Sequence, residues 1–143
     1  MINILPGVQS TSAALNAERM RLDVISQNIA NANTTKAPDG KPYQRQHVVF
    51  ETVLKQFQPG EDAGVSGTVQ VGRIANDNRP PRLVHNPGHP DADASGMVAM
   101  PDINIHEEMV DLIAASRSFE ANLAVVKNAR ALAMQELSIG KRS

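Results

Sequence analysis

The stretch IHEEMVDLIAASRSFEANLAVVKNARALAMQEL, residues 105–137, contains no Pro or Gly and carries the most regular pattern in the chain. Alternating steps of four and three residues select ten positions, eight of them apolar: Ile105, Met109, Leu112, Ser116, Phe119, Leu123, Val126, Arg130, Ala133 and Leu137. A repeat of 3.5 residues is typical of the seam between the helices of a coiled coil. The spacing therefore predicts a long C-terminal helix with a narrow contact stripe.

Arg130 is the charged member of this stripe, and two interpretations of it stay open. It faces a partner and sets the register of the contact, or its aliphatic stem lies along the seam while its guanidinium reaches water.

A second stripe of this kind lies near the N-terminus. Its apolar residues recur every seven positions, with two more placed three positions later: Val8, Leu15, Leu22 and Ile29, then Ile25 and Ala32. This spacing predicts an amphipathic helix. The hydroxyl residues at 10–12 are candidate N-caps, and Asn31 and Asn33 predict the end of the helix.

The middle of the chain has a different composition. Residues 36–102 hold eight of the nine Pro and seven of the nine Gly, together with β-branched runs. We predict strands at Tyr43–Leu54, Thr68–Ile74 and Met97–Met100, with a β-bulge at Gly72. The fold class is therefore α+β: a coiled-coil-like pair of terminal helices, 1–35 and 103–143, flanks a small β-rich module, 36–102.

The composition limits both the core and the function. Only four residues are aromatic, namely Tyr43, Phe50, Phe57 and Phe119, so a large self-contained core is not expected. A small module cannot cover two long amphipathic helices, so we expect their apolar faces to be buried between subunits. Fourteen basic against fifteen acidic residues argue against nucleic-acid binding.

The sequence also limits the compartment and the chemistry. The absence of Cys excludes disulfides and thiolate chemistry. No apolar run is long enough for a membrane span, and the first twelve residues lack the basic region of a cleaved secretory signal. No catalytic motif is present, so neither an enzyme nor a cofactor is predicted.

One segment, DADASGMVAMPD at residues 91–102, imitates a calcium-binding loop. Three features favour a polar turn that leads into a strand over a calcium site. The last position is Asp, Pro101 lies within the segment, and prolines precede it. His85 and His89 are separated by Pro87 and Gly88, which excludes the helical spacing of a metal pair. A calcium-responsive module and a cell-wall hydrolase with an acidic pair in a cleft remain the alternative functions.

Both ends of the chain resemble one protein family. The segment SAALNAERMRLDVISQNIANANTTKAPDGKPY, residues 12–43, resembles the N-terminal signature of bacterial flagellar rod and hook proteins. The matching positions are Leu15, Asn28, Ala30, Asn31 and Thr34. Residues 109–140, with the segment Ser116–Asn122, resemble the C-terminal helix of the family, and residues 38–50 and 83–110 resemble its short proximal rod members.

The resemblance implies a structural subunit of the proximal rod in the flagellar basal body. Such subunits are exported through the flagellar type III apparatus without a cleaved leader, and they self-assemble into a periplasmic drive shaft around an export channel. The implied partners are other proximal rod proteins, the rod-base adapter and distal rod subunits, with no nucleic acid and no membrane insertion. We predict an assembly interface formed by Leu15, Leu22, Ile25, Ile29, Asn31, Met109, Leu112, Ser116, Phe119, Leu123, Val126 and Arg130.

Overall fold

The computed structural model describes residues 5–55 and 66–140. In chain order the elements are α1 (Leu5–Ala30), β1 (Gln46–Lys55), β2 (Ser66–Asn76), β3 (Arg82–His85), β4 (Met97–Met100) and α2 (Ile105–Gly140). Two long helices thus flank two small antiparallel sheets, β1–β2 and β3–β4, and the predicted α+β class is confirmed.

The two helices pack against each other in antiparallel directions. Asn28, near the end of α1, contacts Glu108 at the start of α2. Earlier in α1, Arg21 lies opposite Asp111, which is one turn further along α2. The most buried apolar residues of the helix pair are small or medium in size: Ala17, Val24, Ile25 and Ala115. The resulting core is narrow, as expected for a chain with few aromatic residues.

The face of α2 that is turned inward keeps the predicted spacing but is shifted from the predicted stripe. Its residues follow steps of four and three, and all are buried or half-buried: Glu108, Leu112, Ala115, Phe119, Asn122, Val126, Ala129 and Ala133. Half of them belong to the predicted stripe. Ile105, Met109, Arg130 and Leu137 are instead exposed in the single chain, so they do not belong to the contact between α1 and α2. Ala115 lets the helices approach closely, and Glu108 is buried because polar groups surround it.

The first helix differs from the prediction at its start. It includes Leu5 and Pro6, so the hydroxyl residues at 10–12 lie inside it and are not N-caps. Pro is well tolerated in a first turn, where its missing N–H would have no helical partner. The hydroxyl of Thr11 instead donates to the carbonyl of Gly7, 2.8 Å away.

The predicted end of this helix is confirmed. Helical structure stops at Ala30, and the Asn31 side chain donates to the Gln27 carbonyl at 2.9 Å and accepts from the Thr34 hydroxyl at 3.1 Å. These bonds turn the chain toward the sheets.

The predicted bulge at Gly72 is also confirmed. In the β1–β2 pair, Val49 lies opposite Arg73 and Phe50 lies opposite Val71, which leaves Gly72 without a partner. A Cβ atom at Gly72 would overlap the side chain of Glu51. Phe57, one of the four aromatic residues, lies outside the described residues.

The sheet formed by β3 and β4 was predicted only in part. Met97–Met100 is a strand as expected, whereas its partner β3 was not predicted. Val84 pairs with Val98, which is buried together with Pro101 at the entrance to α2.

Candidate assembly surface and polar junction

The structure places most of the predicted interface residues on or beside the helix pair. Ile25 is buried, Met109 and Arg130 are exposed, and the other predicted residues are half-buried: Leu15, Leu22, Ile29, Asn31, Leu112, Ser116, Phe119, Leu123 and Val126. Their partly open surface leaves room for contacts with other chains. Whether they form an interface between subunits stays a prediction.

Several large apolar side chains on α2 are exposed to solvent. We call this set the outer aliphatic surface. Its large members are between 51% and 71% exposed: Met109, Val110, Ile113, Val125, Leu132, Met134 and Leu137. Sequence reasoning selected only two of these positions, Met109 and Leu137. A second series with the same spacing contains two of the others, Val125 and Leu132, and is exposed throughout: Ala114, Ser118, Ala121, Val125, Asn128 and Leu132.

A buried asparagine, Asn28, joins three parts of the chain. The side-chain oxygen of Asn28 accepts from the Gln46 amide at 2.9 Å and from the Tyr43 hydroxyl at 3.1 Å. Its side-chain nitrogen donates to the Gln46 carbonyl at 2.8 Å and to Glu108 at 3.0 Å. We call these residues, together with Arg45, the polar junction.

The second half of the polar junction is a buried ion pair. Nε of Arg45 donates to Oε1 of Glu108 at 2.6 Å, and the Glu108 side chain is 1% exposed. A buried carboxylate is tolerated only when it is paired and hydrogen-bonded, and both oxygens of Glu108 have partners. Burial raises the pKa of Tyr43, and the negative charge of Glu108 raises it further.

Further charges surround the junction. Arg45 also lies 3.9 Å from carboxylate oxygens of Asp77 and Asp111, and Arg21 lies 4.0 Å from Asp111. The pKa of Asp77 is lowered, chiefly by the side-chain hydrogen bond that it accepts from Arg79 at 2.8 Å. Sequence reasoning did not group these residues, because they are distant in the chain and follow no short motif.

A cleft of about 250 Å³ lies beside the junction, between the helices and β1. Val24, Ile25, Val48 and Phe50 are among its apolar lining residues, and Glu108 and Asp111 give it two carboxylates. A glycosidase would use such a pair as an acid and a nucleophile or base. Here Glu108 is held by Arg45 and Asn28, and Asp111 lies beside two arginines. This arrangement suits structural pairing.

The calcium-loop imitation at residues 91–102 forms a polar turn. One oxygen of Asp93 accepts from the amides of Ser95 and Met97 and from the Ser95 hydroxyl, at 2.6–2.9 Å. These bonds lower the pKa of Asp93, and the bond from the Ser95 hydroxyl has the largest effect. Asp91 accepts from the Thr35 hydroxyl at 2.7 Å, which ties the turn to the exit of α1.

The part of the chain that the structure describes holds no arrangement suited to a metal ion or to a membrane crossing. Within 5–55 and 66–140, no group of three or more His, Asp or Glu side chains is arranged to hold a metal ion. In the same part of the chain, neither helix combines the length and the apolar character that a membrane crossing requires.

Two family models match this chain, one at each end. The model described as flagella basal body rod protein matches residues 9–37, which contain most of α1 and Asn28. The model described as flagellar basal body rod FlgEFG protein C-terminal matches residues 94–139, which contain β4 and nearly all of α2. The matched regions thus include most of both helices, together with Glu108.

Three curated relatives each match 90% or more of the chain, and each of the three is named flagellar basal-body rod protein FlgC. The protein from Borreliella burgdorferi is 38% identical, with an alignment covering 96% of this chain and 98% of the relative. The protein from Yersinia enterocolitica is 42% identical over 90% and 92%, respectively. The protein from Bacillus subtilis is 36% identical over 92% and 94%. With this identity sustained over nearly its full length, the chain belongs to the FlgC family of flagellar basal-body rod proteins.

Proposed function

We propose that this chain is a structural subunit of the flagellar basal-body rod and that it assembles through its terminal helices. The observation that carries the proposal is the outer aliphatic surface of α2, where Val110, Val125 and Leu132 are each more than half exposed. Several large apolar side chains exposed along one helix of a small protein favour contact with other macromolecules. Neighbouring rod subunits are the partners that family membership favours.

The division of the chain follows from this function. We assign assembly to residues 1–35 and 103–143, and we assign residues 36–102 to a small module on the outside of the helices. The polar junction supports this division, because Asn28 and Glu108 belong to the two assembly segments while Arg45 and Gln46 belong to the module.

The finer setting is also part of the proposal. The subunit is a component of the proximal rod in the periplasm, reaches it through the flagellar type III apparatus without a cleaved leader, and contributes to the drive shaft around the export channel. Its partners are further copies, other proximal rod proteins, the rod-base adapter and distal rod subunits. Its role is mechanical rather than enzymatic, and the relatives are named as rod proteins.

Deletion and complementation in the native bacterium test the proposal. Cells without this chain should lack rods and should not swim, while the reintroduced wild-type chain should restore both. Mass spectrometry of purified basal bodies should then detect the chain. Deleted cells that build complete basal bodies, or basal bodies that lack the chain in complemented cells, would contradict the assignment.

A further inference from the structure

We propose that Asn28 is a positioning residue whose side-chain amide replaces a neighbouring strand at the start of β1. In this role it holds the middle module on α1 in one orientation, and Glu108 of α2 holds the amide in place. The inference goes beyond rod assembly, because it concerns the folded chain itself and can be tested without a rod.

The geometry of β1 leaves one edge open at this point. Gln46 lies opposite Asn76 in the ladder, and the neighbouring carbonyl of Arg45 accepts from the amide of Asp77 at 2.7 Å. Peptide groups of successive strand residues point to opposite edges. The Gln46 peptide groups therefore face away from β2, toward α1.

Asn28 fills this edge with the pattern of an antiparallel strand. Its oxygen accepts from the Gln46 N–H at 2.9 Å while its nitrogen donates to the Gln46 carbonyl at 2.8 Å. Two residues of a hydrogen-bonded antiparallel pair exchange the same two bonds through their backbones. A primary amide can reproduce this exchange because it carries both a donor and an acceptor.

The remaining donor and acceptor of the Asn28 amide are hydrogen-bonded to other segments of the chain. Its second N–H donates to Glu108, and its oxygen also accepts from Tyr43, so two donors and two acceptor positions are all occupied at 1% exposure. Because Glu108 is fixed on α2, the docking of the module depends on the register of the two helices. A slip of one helical turn moves Glu108 by about 5.4 Å and breaks its bond to Asn28.

Residue-resolved amide hydrogen exchange of the full-length chain tests this role. In the wild-type protein the Gln46 amide should be protected. In Asn28→Leu, which removes both bonds, its exchange should rise by about tenfold, the scale of one lost hydrogen bond. Amides that pair β1 with β2 should change far less. The matched control is Asn16→Leu, an exposed position on the same helix, which should leave Gln46 unchanged.

Three outcomes would overturn the proposal: an unprotected Gln46 amide in the wild type, no change in Asn28→Leu, or an equal rise at all amides. If Asn28→Leu does not fold, Asn28→Asp decides. Its carboxylate faces Glu108 with a like charge and lacks the N–H that bonded the Gln46 carbonyl, so the side chain should leave the edge of β1 and the Gln46 protection should fall. Adding Glu108→Gln restores an amide donor at that contact and should recover most of the Gln46 protection. A double variant no better protected than Asn28→Asp alone would also overturn it.

Discussion

Asn28 and Glu108 are 80 residues apart in the chain, yet their side chains share a hydrogen bond of 3.0 Å and each residue is only 1% exposed. A buried contact of this kind contributes little net stability, since desolvation offsets most of its attraction. The contact does favour one register of the two helices over the alternatives, because any other register leaves polar groups unpaired. The helix pair therefore combines a narrow apolar contact with one polar contact that fixes its position.

The first prediction concerns the ion pair at the junction. Arg45→Met should lower the free energy of unfolding by ~3–5 kcal/mol, because it leaves the Glu108 charge buried without its partner. Adding Glu108→Leu should recover part of this loss, since no buried charge then remains. Urea denaturation of the purified chain measures both effects. Arg73→Met, at an exposed position on β2, is the control and should change the value by less than ~0.5 kcal/mol.

The second prediction concerns the close approach of the helices at Ala115, which is fully buried at 0% exposure. Ala115→Leu should destabilise the chain by ~1–3 kcal/mol through overpacking. The neighbouring residue gives a matched control, because Ala114→Leu makes the same change at an exposed site and should cost less than ~0.5 kcal/mol. Equal effects of the two variants in chemical denaturation would contradict the described helix contact.

The third prediction concerns rod assembly. Leu123→Asp places a charge on the half-buried face of α2 and should abolish rod assembly and swimming while leaving expression intact. Leu83→Asp makes the same substitution on β3 at a side chain that is 62% exposed, and it should be much milder. Motility in soft agar and the yield of basal bodies measure the difference. Normal swimming of cells carrying Leu123→Asp would count against a role for this face.

The fourth prediction concerns the turn before β4. Gly96 has a φ of +75°, and a Cβ atom there would lie 3.1 Å from His85 and 3.2 Å from Pro87. Gly96→Ala should therefore cost about 1–2 kcal/mol and lower the melting temperature. Gly88→Ala is the control in the same loop, since its nearest neighbour would be 3.9 Å away. A melting temperature that falls equally in both variants would be inconsistent with the strained position.

The fifth prediction concerns pH. Because the folded pKa of Asp93 lies below its ordinary value of 3.8, the bonds of its carboxylate stabilise the turn above that pH. This contribution is lost as the pH falls below 3.8 and through the folded pKa. An NMR titration should show the Asp93 carboxyl and the Met97 amide changing together in this range. Ser95→Ala removes the largest cause and should move the midpoint upward; an unmoved midpoint would contradict the assigned cause.

Features with local causes could be predicted from the sequence. The start of α2 at Ile105 follows a Pro-rich segment and opens the apolar repeat, and the bulge at Gly72 interrupts a strand alternation. The end of α1 depends on Asn31, whose side chain bonds within its own turn. In each case the residues that decide the structure lie within a few positions of one another.

Features that depend on distant residues could not be predicted in this way. Strand β3 has only four residues and is defined by its pairing with Met97–Met100. The residues of α2 that face α1 differ in part from the apolar stripe, because apolar counting selects Met109 whereas the buried residue is Glu108. Its burial depends on Asn28 and Arg45, which no pattern within α2 reveals.

The outer aliphatic surface of α2 also bears on how the free chain behaves in solution. A net charge of −1 gives copies of the chain almost no mutual repulsion, and little opposes contact between exposed Val125 or Leu132 side chains. Contact between copies of the isolated chain should therefore become more favourable as their concentration rises.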